Sequence, residues 1–141
     1  MRLFLDTSVL LAASGSANGA SREIFRLASP NQWTLIATPY VVEEVRRNLS
    51  NFPGSAGADW SRLRGELLRV DDVFTVDRPV VFAPAKDRPV LFSALAWADV
   101  LLTLDRGDFE TLLGDEFYGL AILTPGNSLC RERAAGRLKL A

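Results

Sequence analysis

The chain has 141 residues, 48% of them hydrophobic, with 16 basic residues set against 17 acidic ones. That length predicts one domain around one core, and the near-neutral balance excludes a chain-wide electrostatic grip on nucleic acid. The absence of histidine excludes Ser-His-Asp and Cys-His catalysis and histidine-ligated zinc, and the lone Cys130 excludes an internal disulfide or a thiolate cluster.

Residues 2–5 (RLFL) predict a strand that ends at Asp6, and a helical run follows from Thr7 to about Ala13. A Gly/Ser/Asn loop then leads to a helix over 21–28, stopped by Pro30-Asn31, and residues 34–37 (TLIA) predict a second strand. Pro39 opens a helix running to about Asn51. Beyond the turn-rich FPGSAGA segment, a helix is expected over 59–70, with Trp60, Leu63, Leu67 and Leu68 as its apolar face. Residues 73–76 are strand-like. A helix begins at 87–89 and runs through Ala98, residues 100–104 (VLLTL) predict a strand, and 108–113 a short helix. A last strand over 120–123 and a last helix over 127–137 complete the chain. Cys130 is expected to be a small, partly buried residue of that helix. No apolar run approaches the roughly 20 residues that span a bilayer, and no charged n-region precedes the first strand, so a cytoplasmic protein with no membrane contact is expected.

Strands alternating with helices, and three strands almost wholly apolar at their centres, predict a parallel sheet covered by helices on both faces. In such a sheet the strand C-termini and the helix N-termini that follow them share one edge, where ligands bind. Asp6 ends the first strand, Asp105 follows the VLLTL strand, Asp87 stands at a helix start, and Glu44 lies in the second turn of the Pro39 helix. Singly, each has a structural explanation as a cap or turn residue. Together on one edge they repel one another unless a cation neutralises them. Glu43 rivals Glu44. At about 100° per residue, Glu44 lies about 115° from the centre of the stripe of Val41, Val42, Val45 and Leu49, and Glu43 about 145°, which favours Glu44 modestly.

Oxygen-only ligation selects Mg²⁺ or Mn²⁺. Such a site acidifies a bound water and orients it toward a phosphodiester. Thr7, Ser8 and Thr103 share the edge, and their hydroxyls are candidates for holding water or phosphate, with capping as the alternative for Thr7 and Ser8.

With these residues in view, the sequence resembles the PIN-domain family, particularly the toxin ribonucleases of bacterial toxin–antitoxin pairs. The resemblance rests on Leu5-Asp6-Thr7-Ser8-Val9-Leu10, on Thr38-Pro39 with Val42-Glu43-Glu44-Val45, and on Lys86-Asp87-Arg88-Pro89-Val90-Leu91. Ala98-Asp99-Val100-Leu101-Leu102-Thr103-Leu104-Asp105, then Asp108-Phe109, and the closing Ile122-Leu123-Thr124-Pro125 complete it. The resemblance implies a three-layer α/β/α sandwich with a central, mainly parallel five-stranded sheet, and a Mg²⁺/Mn²⁺-dependent endoribonuclease. Asp6, Glu44, Asp87 and Asp105 match the family's acidic positions, and Asp108 matches an auxiliary metal position. Asp99 falls at a family position without a metal role. Ser8 stands where many members have asparagine, and Leu104 where glycine or arginine is common. The resemblance also implies a homodimer, an RNA substrate and an antitoxin protein whose peptide enters the acidic groove.

Basic residues cluster at Arg22 and Arg26, Arg46 and Arg47, Arg62, Arg64 and Arg69, and along residues 131–139. Solvated helix faces explain most of them. Lys86 and Arg88, beside Asp87, are the candidates for gripping phosphate. Trp60 and Trp97 are assigned to the core or to a dimer surface rather than to base stacking. Two other classes compete with the nuclease: a PIN fold that binds RNA or protein without cutting, and a receiver-like signalling domain. The latter requires an acidic pair after the first strand and a lysine ending the last, and this chain has neither.

Overall fold

Leu3, Phe4 and Leu5 are each 0% exposed in the computed structural model of the chain, which describes all residues except 76–87, 108, 110 and 111. Successive side chains of a strand point to opposite faces of its sheet. Both faces of this strand are therefore covered, which only a three-layer arrangement achieves. Ile36, Ala37, Leu101 and Leu102, also 0% exposed, extend the same condition to its two neighbours.

The strands are β1 (Arg2–Leu5), β2 (Thr34–Ala37), β3 (Leu68–Arg69), β4 (Val100–Leu102), β5 (Glu116–Phe117) and β6 (Leu120–Leu123). The helices are α1 (Thr7–Gly15), α2 (Ala20–Ala28), α3 (Pro39–Asn48), α4 (Ala56–Leu63), α5 (Arg88–Trp97) and α6 (Pro125–Ala134). The sheet runs β3-β2-β1-β4-β6-β5. All pairings are parallel except β5 with β6. Register places Leu3 beside Leu35 and Val100, and Leu5 beside Leu102, which in turn faces Leu123. Helix α1 packs against α2, α3 and α4, while α5 lies on β1 and β4.

The expected mainly parallel α/β/α sandwich is what the chain forms, with six strands among the described residues rather than five. The additional strand, β5, belongs to a hairpin closed by Tyr118 (φ 50°) and Gly119 (φ 82°). Two successive positive φ values make the turn whose twist suits paired strands. A tyrosine seldom adopts that conformation, so the sequence carries no turn signal there.

Of the strand expected over 73–76, residue 76 lies outside those described, and residues 73–75 are not the third strand. It is Leu68–Arg69, because Asp72 accepts a hydrogen bond from the Tyr40 N–H at 3.1 Å and the Val73 N–H donates to Ser93 Oγ at 2.8 Å. Those bonds tie the segment to α3 and α5 instead of to the sheet. The helix expected over 59–70 begins earlier, at Ala56, and gives way to a 3₁₀ turn over Arg64–Glu66. Trp60 and Leu63 are buried as expected, but Leu67 is extended and Leu68 is 46% exposed in β3. Trp97 donates from Nε1 to the Asp71 carbonyl at 3.0 Å. Cys130 is exposed, not partly buried. The short helix expected over 108–113 involves residues outside those described.

At the end of α1, a Cβ on Gly15 would stand 2.7 Å from Phe52 Cδ1, so the close approach of that ring requires glycine. The C-terminal segment returns to α2: Asn31 donates to the Lys139 carbonyl at 2.7 Å and accepts from its N–H at 2.8 Å. Among the described residues no helix is long and apolar enough to cross a membrane.

Candidate active site

Strand β1 leads to β2 on one side, while β4 pairs with it on the other. Strand order reverses between β1 and β4, and that reversal opens a crevice beyond their C-terminal ends. Asp6 stands in it. Its backbone N–H bonds the Leu102 carbonyl at 3.0 Å, continuing the β1–β4 pairing by one residue. Its carboxylate caps α1, accepting the Thr7 N–H on Oδ1 at 2.8 Å.

Two hydroxyls converge on Asp6 Oδ2, Thr103 Oγ1 at 2.8 Å and Ser8 Oγ at 3.2 Å. Each also accepts a backbone N–H from the segment after β4: Thr103 from Asp105 and Ser8 from Leu104, both at 3.0 Å. An ionised carboxylate only accepts, so both hydroxyl protons must point at Asp6. The same two groups thereby fix the backbone that carries Asp105. Asp6 is only 6% exposed. Burial pushes its carboxyl up from 3.8 to about 6, opposed by the bonds from Thr103, Thr7 and Ser8 and assisted by the charge of Glu44.

Glu44 comes from α3, and the Thr7 hydroxyl reaches toward its Oε2 at 3.4 Å. Asp6, Glu44 and Asp105 line one open cleft of about 250 Å³ together with Thr7, Ser8, Leu11, Tyr40 and Asn48. Glu43 turns away into ion pairs with Arg46 at 2.5 Å and Arg47 at 3.4 Å. The Arg46 hydrogen bonds, more than the charges, hold its carboxyl down at about 2.

The structure thus brings Asp6, Glu44, Asp105, Thr7 and Ser8 to one cleft, with Thr103 buried behind Asp6. Arg88 is an exposed residue at the start of α5 and does not line the cleft. Asp87, Asp108 and Lys86 lie outside the described residues. Among the described residues, no three acidic or thiol side chains stand close enough to hold a metal ion by themselves. The donor set nevertheless fits a hard cation. It is all oxygen, and the raised Asp6 carboxyl marks a buried negative charge that no cationic side chain among the described residues answers.

Asp99 lies at the opposite end of β4, where it accepts the Arg2 N–H at 2.7 Å. Several basic residues are tied down locally. Arg22 bonds Asp59 at 3.0 Å and the Ala13 carbonyl at 2.7 Å, Arg26 pairs with Glu23, and Arg137 pairs with Glu132 at 2.9 Å. Sequence reasoning did not select Leu11, Tyr40 or Asn48 as cleft residues. The signal was present in spacing: Tyr40, Glu44 and Asn48 stand at i, i+4 and i+8 on α3, and Thr7 and Leu11 at i and i+4 on α1.

A family model described as PIN domain matches residues 2–107 of the chain. No curated protein matches it. Among solved structures, VapBC2 from Rickettsia felis, bound to a DNA fragment from their promoter, is similar in fold at 14% identity and a TM-score of 0.59. That similarity covers 86% of this chain and 97% of that one. With the match extending over most of the sheet and through Asp105, the chain belongs to the PIN-domain family.

Proposed function

We propose that the protein is a Mg²⁺- or Mn²⁺-dependent endoribonuclease, formed by the whole chain as one domain and acting as the toxin of a toxin–antitoxin pair. The observation that carries this reading is Asp6, a buried carboxylate raised to about 6, sharing a cleft with Glu44 and Asp105. A group that costs folding energy and meets no cationic partner among the described residues is the mark of a site built for a ligand.

Asp6, Glu44 and Asp105 are assigned to holding the cation, with Asp87 and the auxiliary Asp108 completing the set. When bound, the cation supplies the positive charge that polarises a phosphodiester and makes water a better nucleophile. Thr103 and Ser8 hold Asp6 ionised and keep Asp105 at a fixed distance from it. Thr7, at the N-terminus of α1, presents its hydroxyl to Glu44, and Lys86 and Arg88 are assigned to substrate phosphates. The antitoxin and homodimer assignments draw on the family resemblance, and the likeness in fold to VapBC2 from Rickettsia felis is in keeping with it.

The test is cleavage of structured and unstructured RNA by purified protein with Mn²⁺ or EDTA, beside Asp6→Asn and Asp105→Asn. Cleavage is expected only with the cation and both carboxylates. Cutting that persists in EDTA, or in both variants, refutes the proposal.

A further inference from the structure

We infer that the cleft contains a subsite for one nucleobase next to the scissile phosphate, formed by Leu11 of α1 and Asn48 of α3. The inference rests on the nuclease reading and adds what that reading lacks, a source of sequence preference.

The cleft does not stop at its carboxylates. Leu11 and Asn48 line it along with Asp6, Glu44 and Asp105. Each stands one helical turn beyond an acid-site residue, Leu11 beyond Thr7 and Asn48 beyond Glu44, a distance of about 6 Å along the helix axis. That is about the reach from a phosphate to the base of its own nucleoside. The chemistry changes over that distance. Beside Leu11 and Asn48 no lysine or arginine lines the cleft among the described residues, so a phosphate at that end meets the charge of Glu44 and is repelled. A flat, uncharged group carrying hydrogen-bonding edges fits instead.

Asn48 is fixed for that task. Its Nδ2 donates to the Glu44 carbonyl at 2.8 Å. A carbonyl demands a donor, so the bond decides which end of the amide is which. The side-chain oxygen and the second N–H meet no partner among the described residues, and they are an adjacent acceptor and donor of the kind that reads a base edge in a bidentate manner. Leu11, partly exposed, gives the base an apolar surface. The bond to the Glu44 carbonyl also couples the base reader to the helix turn that carries the acid.

The experiment is digestion of a random-sequence RNA pool with Mn²⁺, with the product ends sequenced, for the natural chain, Asn48→Ala and Leu11→Phe. Thermal melting and the Mn²⁺-induced shift in melting temperature show that each variant is folded and binds the ion. The natural chain is expected to prefer one base beside the cut, and Asn48→Ala to lower that discrimination about tenfold. Leu11→Phe, which narrows the slot and keeps the Asn48 bond, is expected to raise KM more than it lowers kcat. If both variants cut at the same sites with unchanged base preference and KM, the subsite is overturned and the nuclease reading stands. If the natural chain cuts no RNA while it binds Mn²⁺, the nuclease reading falls and the subsite falls with it.

Discussion

Replacing Asp6 by asparagine should make the cation-free protein more stable at neutral pH, although Asp6 is the residue most deeply committed to the site. Burial raises its carboxyl from 3.8 to about 6. A raised acid pKa means that the folded chain holds the proton more tightly than the unfolded one. The associated stability is fully present below pH 3.8 and is lost as pH rises through about 6. At about 1.4 kcal/mol per pKa unit, the ionised carboxylate costs about 3 kcal/mol at pH 7. Asparagine removes that charge, and its Oδ1 still accepts the Thr7 N–H. Its Nδ2 meets the Ser8 and Thr103 hydroxyls, which must accept rather than donate, so about 1 kcal/mol is lost again. Urea unfolding in EDTA at pH 7 should therefore show Asp6→Asn about 2 kcal/mol more stable than the natural chain. That advantage should fall to about 0.6 kcal/mol near pH 5, vanish near about pH 4.5 and be slightly reversed at pH 4. Saturating Mn²⁺ should stabilise the natural chain and leave the variant unchanged. A variant less stable than the natural chain at pH 7 in EDTA, or an advantage that does not vary with pH, would refute the reasoning.

Three further outcomes follow from the same geometry. Glu44→Gln should reduce Mn²⁺-dependent cleavage at least 100-fold, whereas Glu43→Gln, which loses only exposed ion pairs with Arg46 and Arg47, should stay within about twofold; equal losses in a cleavage assay would reverse the assignment. Thr103→Val should cost about 1–2 kcal/mol in denaturant unfolding, because the Asp105 N–H loses its acceptor. It should also move the acid limb of the pH–activity profile upward, since the Thr103 bond holds the Asp6 carboxyl down, and Thr103→Ser should restore both. Arg22→Met should lower stability by about 1–2 kcal/mol without altering Mn²⁺ binding, because Arg22 joins α2 to Asp59 of α4 and to the Ala13 carbonyl of α1.

The parts of this fold that are legible in sequence are those decided by burial on both faces. Leu3-Phe4-Leu5, Leu35-Ile36-Ala37 and Val100-Leu101-Leu102 announce central strands because no polar residue interrupts them. The parts that are not legible are decided by single long-range bonds or by unusual backbone. Asp72, capping α3 from 32 residues away, draws its segment off the sheet edge, and Tyr118 turns a hairpin in a conformation that asparagine or glycine normally signals. At the site, Asp6 and Asp105 follow directly from strand ends. Glu44 lines the cleft and Glu43 is held by Arg46 and Arg47 instead, a separation that the sequence carries only as about 30° of helical phase. Leu11 and Asn48 escape notice because neither residue type announces chemistry by itself.

The hydrogen bond from Thr103 to Asp6 joins residues 97 positions apart, and that separation bears on synthesis. Strand β1 is synthesised well before β4, one of its two partners in the sheet. Until β4 arrives, Asp6 has no Thr103 beside it, Leu104 and Asp105 have no place, and the apolar face of β1 that β4 should flank is open. The cleft therefore closes only after β4 has been synthesised, and pairing over such a distance in sequence is slow. A nascent chain of this protein carries Asp6 long before the cleft around it has formed.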